Sequence, residues 1–169
     1  MQISSITTDR LVLRKPQLSD SEQLILLAND WEVAKYLARL PHPYGLEDAD
    51  FFFTEVVEKE MTWALILDDK FIGTIGLVRH HDSSLELGYW IGRPYWGKGY
   101  VTEAARAVLQ WAQTVLPDSR IVSGCFIGND ASYKILEKLG FVETGRSSRF
   151  ALAQVKDLEH RDMMLRSEE

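Results

Sequence analysis

Apolar residues fall along the chain in short runs, separated by polar turns and by stretches with helical spacing. Leu11-Val12-Leu13-Arg14 follows a short polar start and reads as a strand. Ser19-Asp20-Ser21-Glu22 has the spacing of a capping box, which predicts a helix running to about Asn29. Trp31 to Leu40 is a shorter helical piece, stopped by Pro41 and Pro43. Leu46 to Met61 reads as another helix, with Phe51, Phe52 and Phe53 partly buried. Thr62 to Leu67 and Phe71 to Val78 flank Asp68-Asp69-Lys70, a hairpin signal. Leu85 to Ile91 is a further strand, and Tyr100 to Val115 a long helix ending near Pro117. Ile121 to Ile127 reads as a strand, and Ala131 to Leu139 as a helix closed by Gly140. Phe141 to Thr144, Arg149 to Gln154 and Asp162 to Leu165 complete the strands.

Strands and helices are thus mixed, with a largely antiparallel middle, which places the chain in the α/β (α+β) class. No linker, internal repeat or low-complexity tract interrupts the pattern. A length of 169 residues suits one domain, 1–169, with one sizeable core.

Composition narrows the partners. A net charge of −6 argues against nucleic acid, whose binders carry a basic face. No apolar run approaches the roughly 18 residues of a membrane helix, so no membrane partner is expected. The opening Met1-Gln2-Ile3-Ser4-Ser5-Ile6 lacks a charged-then-apolar signal pattern, and a lone cysteine, Cys125, fits a reducing compartment. The expectation is a cytoplasmic protein, monomeric or a homodimer.

The chemistry concentrates where the Leu85–Ile91 strand runs into Tyr95-Trp96-Gly97-Lys98-Gly99-Tyr100-Val101-Thr102 and a helix begins at once. Glycine lets a backbone approach a ligand closely, and a helix start adds unpaired N–H donors and partial positive charge. Together these make a seat for a phosphate or pyrophosphate. A glycine pair alone also occurs in ordinary strand–helix turns. The loop is not a P-loop, which needs G-x-x-x-x-G-K-[ST]. Nor is it the dinucleotide fingerprint, because Thr102 stands where the third glycine belongs.

Several blocks resemble GNAT-type N-acetyltransferases, and within them the ribosomal-protein serine/alanine N-terminal acetyltransferases. Thr8-Asp9-Arg10-Leu11-Val12-Leu13-Arg14 resembles that subgroup's first strand, and Phe71-Ile72-Gly73-Thr74-Ile75-Gly76-Leu77 its central hairpin. Leu87-Gly88-Tyr89-Trp90-Ile91 with Tyr95 to Ala104 resembles its cofactor strand and loop. Asn129-Asp130-Ala131-Ser132 and Leu136-Glu137-Lys138-Leu139-Gly140-Phe141 resemble its closing helix. The resemblance implies a twisted mixed sheet in which two parallel neighbours, Leu85–Ile91 and Ile121–Ile127, splay apart, with helices on both faces. It implies acetyl-coenzyme A in that splay, with pantetheine along Trp90 and Ile91 and the pyrophosphate on the amides of Trp96, Gly97, Lys98, Gly99, Tyr100, Val101 and Thr102. Two positions depart from the broad pattern: Trp96 replaces Gln or Arg, and Val101 replaces a smaller residue.

Acetyl transfer to an amine needs a neutral amine, a polarised carbonyl and a protonated leaving thiolate. By the subgroup's N-x-x-S pattern, Ser132 is the partner of the thiolate; a plain helix-start hydroxyl has the same spacing. Asn129 either holds the pantetheine arm or caps the helix. Tyr133, next to Ser132, points about 100° away on a helix and ranks second as an acid. Some relatives carry a glutamate base where this chain has Ser123-Gly124-Cys125-Phe126, so Glu86 is the remaining base candidate, acting through water; a salt-bridged strand glutamate is the plain alternative. An α-amine, with a pKa near 8 against about 10.4 for lysine, demands less of a base, which favours an α-amine acceptor.

The other side chains get plain readings. Cys125 is a buried small apolar group. Glu103 complements the helix dipole. Trp31, Trp63 and Trp111 belong to the core, and no metal spacing is present, so no metal is expected. Eight acids between Glu47 and Asp69, set against Lys59 and Lys70, form a solvated face or attract a cationic acceptor. The reading is an acetyl-CoA-dependent N-acetyltransferase acting on a protein N-terminus, by direct transfer in a ternary complex. The alternatives are a small-amine acetyltransferase (polyamine, aminoglycoside, amino acid) and a non-catalytic acyl-CoA-binding regulator.

Overall fold

The computed structural model describes residues 3–166. In chain order these form β1 (Ile6–Thr7), β2 (Val12–Arg14), α1 (Ser21–Ala28), α2 (Trp31–Ala34), α3 (Leu46–Phe51), α4 (Val57–Lys59), β3 (Met61–Leu67), β4 (Lys70–Arg79) and β5 (Leu85–Ile91). Then come α5 (Tyr100–Val115), β6 (Ile121–Phe126), α6 (Asp130–Lys138), β7 (Phe141–Ala151) and β8 (Lys156–Leu165). The strands make one eight-stranded sheet in the order β1-β2-β3-β4-β5-β6-β8-β7. Every neighbouring pair is antiparallel except β5 and β6, which run parallel.

Two apolar clusters cover the two faces. On one face α5 packs Val101, Ala104, Ala105, Val108 and Ala112 onto Trp63, Leu65, Leu77, Leu85 and Leu87. On the other, α1 to α4 pack Leu24, Leu27, Val33, Ala49, Phe53 and Val57 onto Ala64, Ile66 and Phe71, with Trp90 at the margin. Side chains alternate along β5. Leu85, Leu87, Tyr89 and Ile91 therefore face α5 and α6, while Glu86, Gly88 and Trp90 face the first helices.

Several expectations need correction. The first helix is not capped by Ser19 and Glu22: the chain enters through a 3₁₀ turn, Leu18–Asp20, where the Asp20 carboxylate accepts the Gln17 N–H at 2.8 Å and is held by Arg14. The helix from Trp31 ends at Ala34, because the following segment turns to present the Ala38 carbonyl to the N–H of Leu152 at 3.1 Å. Met61 is the first residue of β3, paired with Leu77, rather than a helix end, and a π-helical turn, Phe52–Val56, separates α3 from α4. The predicted strand Arg149–Gln154 is the end of β7 plus the turn into β8, and Asp162–Leu165 is only the last part of β8. This hairpin is exposed along much of its length and is tied by polar side chains, so it shows little apolar alternation. Trp63 is fully buried and Trp111 half-buried against it, but Trp31 is 42% exposed and lies outside the core.

Candidate active site

The parallel ladder between β5 and β6 has two rungs, Leu85 with Ile121 and Glu86 with Val122. The buried Ser123 hydroxyl then donates to the Leu87 carbonyl at 2.8 Å, and beyond that point the strands part. The Leu85 N–H points to β6, where it reaches the Arg120 carbonyl, whereas the Gly92 N–H points to β4. Backbone groups alternate sides along a strand. The edge groups of Tyr89 and Ile91 therefore face the gap, and those of Trp90 face β4. The Ile91 carbonyl is already occupied by the Trp96 indole N–H, at 2.8 Å.

The gap opens onto the glycine loop. Gly97 and Gly99 have φ of 72° and 80°, a region L side chains rarely enter. A Cβ on Gly97 would meet open space, so the backbone there is accessible to a ligand. The first bond of the α5 ladder runs from the Glu103 N–H to the Gly99 carbonyl, which leaves the amides of Tyr100, Val101 and Thr102 ahead of it. Val101 sends its side chain into the core, so its extra bulk is directed away from the amides. Lys98 and Trp96 are exposed, and the Lys98 ammonium donates to the Pro94 carbonyl. Arg10 fixes the loop from outside. It donates to the Lys98 carbonyl at 2.8 Å and to Glu103 at 2.7 Å, and lies over the Tyr100 ring. Glu103 also accepts from the Thr8 hydroxyl and from the Arg10 amide, so it joins the turn between β1 and β2 to the loop as well as opening the helix. A groove of about 1090 Å³ runs beside the loop along α5, lined in part by Asp9, Arg10, Gly99, Thr102, Glu103 and Arg106. The amides ahead of the α5 ladder and the open backbone at Gly97 fit a phosphorylated ligand.

On the α6 side of the gap, the Ser132 and Tyr89 hydroxyls are 2.9 Å apart. Burial pushes the Tyr89 phenol well above its ordinary value, against the opposing pull of the Ser132 bond, so it stays protonated. Asn129 caps α6, its side-chain oxygen accepting the Ser132 N–H at 3.2 Å. Tyr133 turns away, under the Arg161 guanidinium. Cys125 is buried, and burial raises its thiol, which removes it as a nucleophile.

On the opposite face lies a polar group. Burial pushes Glu86 up, but Arg149 and His80 both bond to it and together bring it below the usual carboxylate range. Beyond it, the His160 Nδ1 lies 3.0 Å from Asp162, which also accepts from Ser147. Sequence reasoning missed Tyr89, Ser123, Arg10 and His160. Strand alternation on β5 was the available signal for Tyr89, while the other three depend on contacts between distant segments.

A family model described as an acetyltransferase (GNAT) domain matches residues 10–142. The chain is 29% identical over 159 residues to "Uncharacterized N-acetyltransferase p20" of Bacillus licheniformis, covering 85% of each protein. It is 24% identical over 152 residues to YdaF of Bacillus subtilis (strain 168), named "Putative ribosomal N-acetyltransferase", covering 82% of this chain and 81% of YdaF. The crystal structure of a GNAT-family acetyltransferase from Bacillus anthracis superposes with a TM-score of 0.83 at 25% identity, covering 98% of this chain and all of that one. The forked sheet, the glycine loop and these matches lead to one conclusion: the chain belongs to the GNAT family and is an acetyl-CoA-dependent N-acetyltransferase.

Proposed function

We propose that this enzyme acetylates a peptide or protein N-terminal α-amine. The observation that carries the reading is the occupied state of Glu86. With Arg149 and His80 bonded to it, this carboxylate is a poor proton acceptor, and an α-amine is the acceptor that asks least of a base. Glu86 is then assigned a structural share of the work: it fixes Arg149 and His80 beside the Gly88 face of the gap. The likeness to the ribosomal-protein subgroup and to YdaF supports the same acceptor class.

Acetyl-CoA supplies the activated acetyl thioester. In this reading the edge of β5, from Tyr89 through Trp90 to Ile91, receives the pantetheine arm. The amides of Trp96, Gly97, Lys98, Gly99, Tyr100, Val101 and Thr102 receive the pyrophosphate. Asn129 orients the start of α6, which sets Ser132 at the gap. Ser132, backed by the protonated Tyr89, hands a proton to the leaving sulfur. Much of the acceleration comes from holding the two reactants in line.

A small cationic amine is the second reading, motivated by the acidic run from Glu47 to Asp69. Three of its eight acids are answered by ion pairs, Glu55 with Lys59, Glu58 with Lys15 and Glu60 with Arg39, which weakens the attraction. Thiol release from acetyl-CoA, followed with N-terminal serine and alanine peptides, spermidine and an aminoglycoside, separates the two. Turnover on the peptides is the expected result. Turnover on the polyamine with none on any peptide overturns the α-amine assignment.

A further inference from the structure

We infer that the His160 imidazole, held by Asp162 and laid over Gly124 at the edge of the gap, takes the proton that the acceptor amine loses. The inference rests on reading the Gly88 face as the acceptor side.

His160 comes from β8, which pairs with β6 so that Phe126 stands opposite His160 and Gly124 opposite Asp162. Register puts Gly124, Phe126, His160 and Asp162 on the face that carries Glu86, Gly88 and Trp90. The ring packs on the backbone of Gly124, where a Cβ would come within 2.2 Å of Cε1 and 3.0 Å of Nε2. A glycine inside a strand marks such a close approach. It turns the Cε1–Nε2 edge toward β6, the strand that borders the gap. Across the gap, Gly88 has nothing within 4 Å of its absent Cβ, which leaves room for an amine.

The far side of the ring is fixed. Nδ1 faces Asp162 at 3.0 Å, and Asp162 is itself held by the Ser147 hydroxyl at 2.8 Å and flanked by Arg149. A carboxylate there keeps the proton on Nδ1 and the lone pair on Nε2, as a general base requires. The residue is 5% exposed, and burial lowers its basicity. Asp162 and Glu86 oppose that shift and Arg149 adds to it; the net direction is down, so the ring is neutral at neutral pH. His80 on Glu86, and the Arg39–Glu60 pair beyond it, complete the charged surroundings.

The step balances. The amine nitrogen bonds to the thioester carbonyl carbon and gives up its proton to Nε2. The carbon–sulfur bond breaks with its electron pair on sulfur, which is protonated from the Ser132 and Tyr89 hydroxyls on the other face. Imidazolium and hydroxyl chain then return to their starting states through solvent. Acid and base thus stand on opposite faces of the sheet, with the fork between them. A buried imidazole of low basicity also suits an α-amine better than a lysine-like amine.

The test is His160→Gln, with kcat followed from pH 5 to 9 at saturating acetyl-CoA and peptide. The expected result is a loss of kcat of roughly 10²–10⁴-fold and disappearance of the acid limb that belongs to the imidazole, with CoA affinity by calorimetry unchanged. A kcat within twofold of the parent with the same acid limb overturns the inference. Should His160→Gln not fold, Asp162→Asn carries the test. Loss of the carboxylate lowers the imidazole further, so the limb moves to lower pH. A limb that stays in place in that variant also overturns the inference. Absence of thiol release by the parent enzyme on every peptide is a separate outcome: it removes the α-amine reading itself.

Discussion

The Tyr89 hydroxyl and the Ser132 hydroxyl lie 2.9 Å apart, linking the strand that borders the gap to the first turn of α6. The pair forms a short proton chain whose inner member is kept protonated by burial. Ser132→Ala is expected to slow turnover by about 10- to 100-fold while leaving CoA affinity unchanged, the low end of what a positioned acid contributes. Tyr89→Phe should act in the same direction. Residues that act as a unit are non-additive, so the double variant should be no slower than the slower single one. Steady-state kinetics on the four proteins checks this, and unchanged turnover in Ser132→Ala removes that residue from the chemistry.

Gly99 sits at φ 80° at the start of α5. Valine there must either adopt a backbone region costing roughly 1–2 kcal/mol or move the loop. Moving the loop displaces the amides it presents. The expected outcome for Gly99→Val is CoA binding weakened by about tenfold or more, read by calorimetry. Equal affinity would count against the loop as the pyrophosphate seat.

Arg10 holds the loop through the Lys98 carbonyl, Glu103 and the Tyr100 ring. The ion pair is partly exposed, and such pairs contribute little. Arg10→Ala is therefore expected to weaken CoA binding by up to about fivefold, with the loss shrinking as salt is raised. A loss of a hundredfold would make Arg10 a direct ligand contact.

Much of this architecture is legible in the residues themselves. The strand–glycine loop–helix unit from Leu85 to Val115 carries strong local signals, and its boundaries match the structure. The hairpin β7–β8 does not, because a largely exposed strand needs no apolar alternation and is set by cross-strand partners such as Arg146 with Glu159. Ser132 and Asn129 stand out by spacing, whereas His160 looks isolated in the chain. Its surroundings come from Gly124, Ser147 and Asp162, and only the register of β6, β8 and β7 assembles them.

The acid response of stability follows from groups bonded in the fold. Burial raises Glu86, Glu103 and Asp162, but hydrogen bonds and cations lower them more, so all three are held below their usual values. A depressed carboxylate stabilises the fold fully above its unfolded pKa, about 4, and that contribution is lost as pH falls through the folded value. Neutral His160 behaves similarly higher up. Its share begins to fade as pH drops below about 6.5, where the unfolded imidazole takes a proton. The melting temperature should fall gently from about pH 6.5 and steeply below about 4.5. Glu86→Gln should melt lower at pH 7, because Arg149 loses its closer carboxylate and keeps only Asp162 at 3.7 Å, and should show a shallower acid slope. An identical slope in parent and variant would remove Glu86 from the account.

Gly88 and Gly124 make a paired test of the acceptor side. Both lie on the Glu86 and Asp162 face, but a Cβ on Gly88 meets nothing within 4 Å, whereas one on Gly124 collides with the Arg161 carbonyl and the His160 ring at 2.2 Å. Gly88→Val adds bulk only where an amine must approach, and β-branched residues suit strands. It should raise the acceptor KM by about tenfold or more while leaving melting temperature and CoA affinity close to the parent, as surface substitutions do. Gly124→Ala must push the backbone of β8 or the imidazole aside, so it should lower the melting temperature and kcat together. An unchanged acceptor KM in Gly88→Val would move the acceptor to another face of the sheet, and with it the roles given to Glu86 and His160.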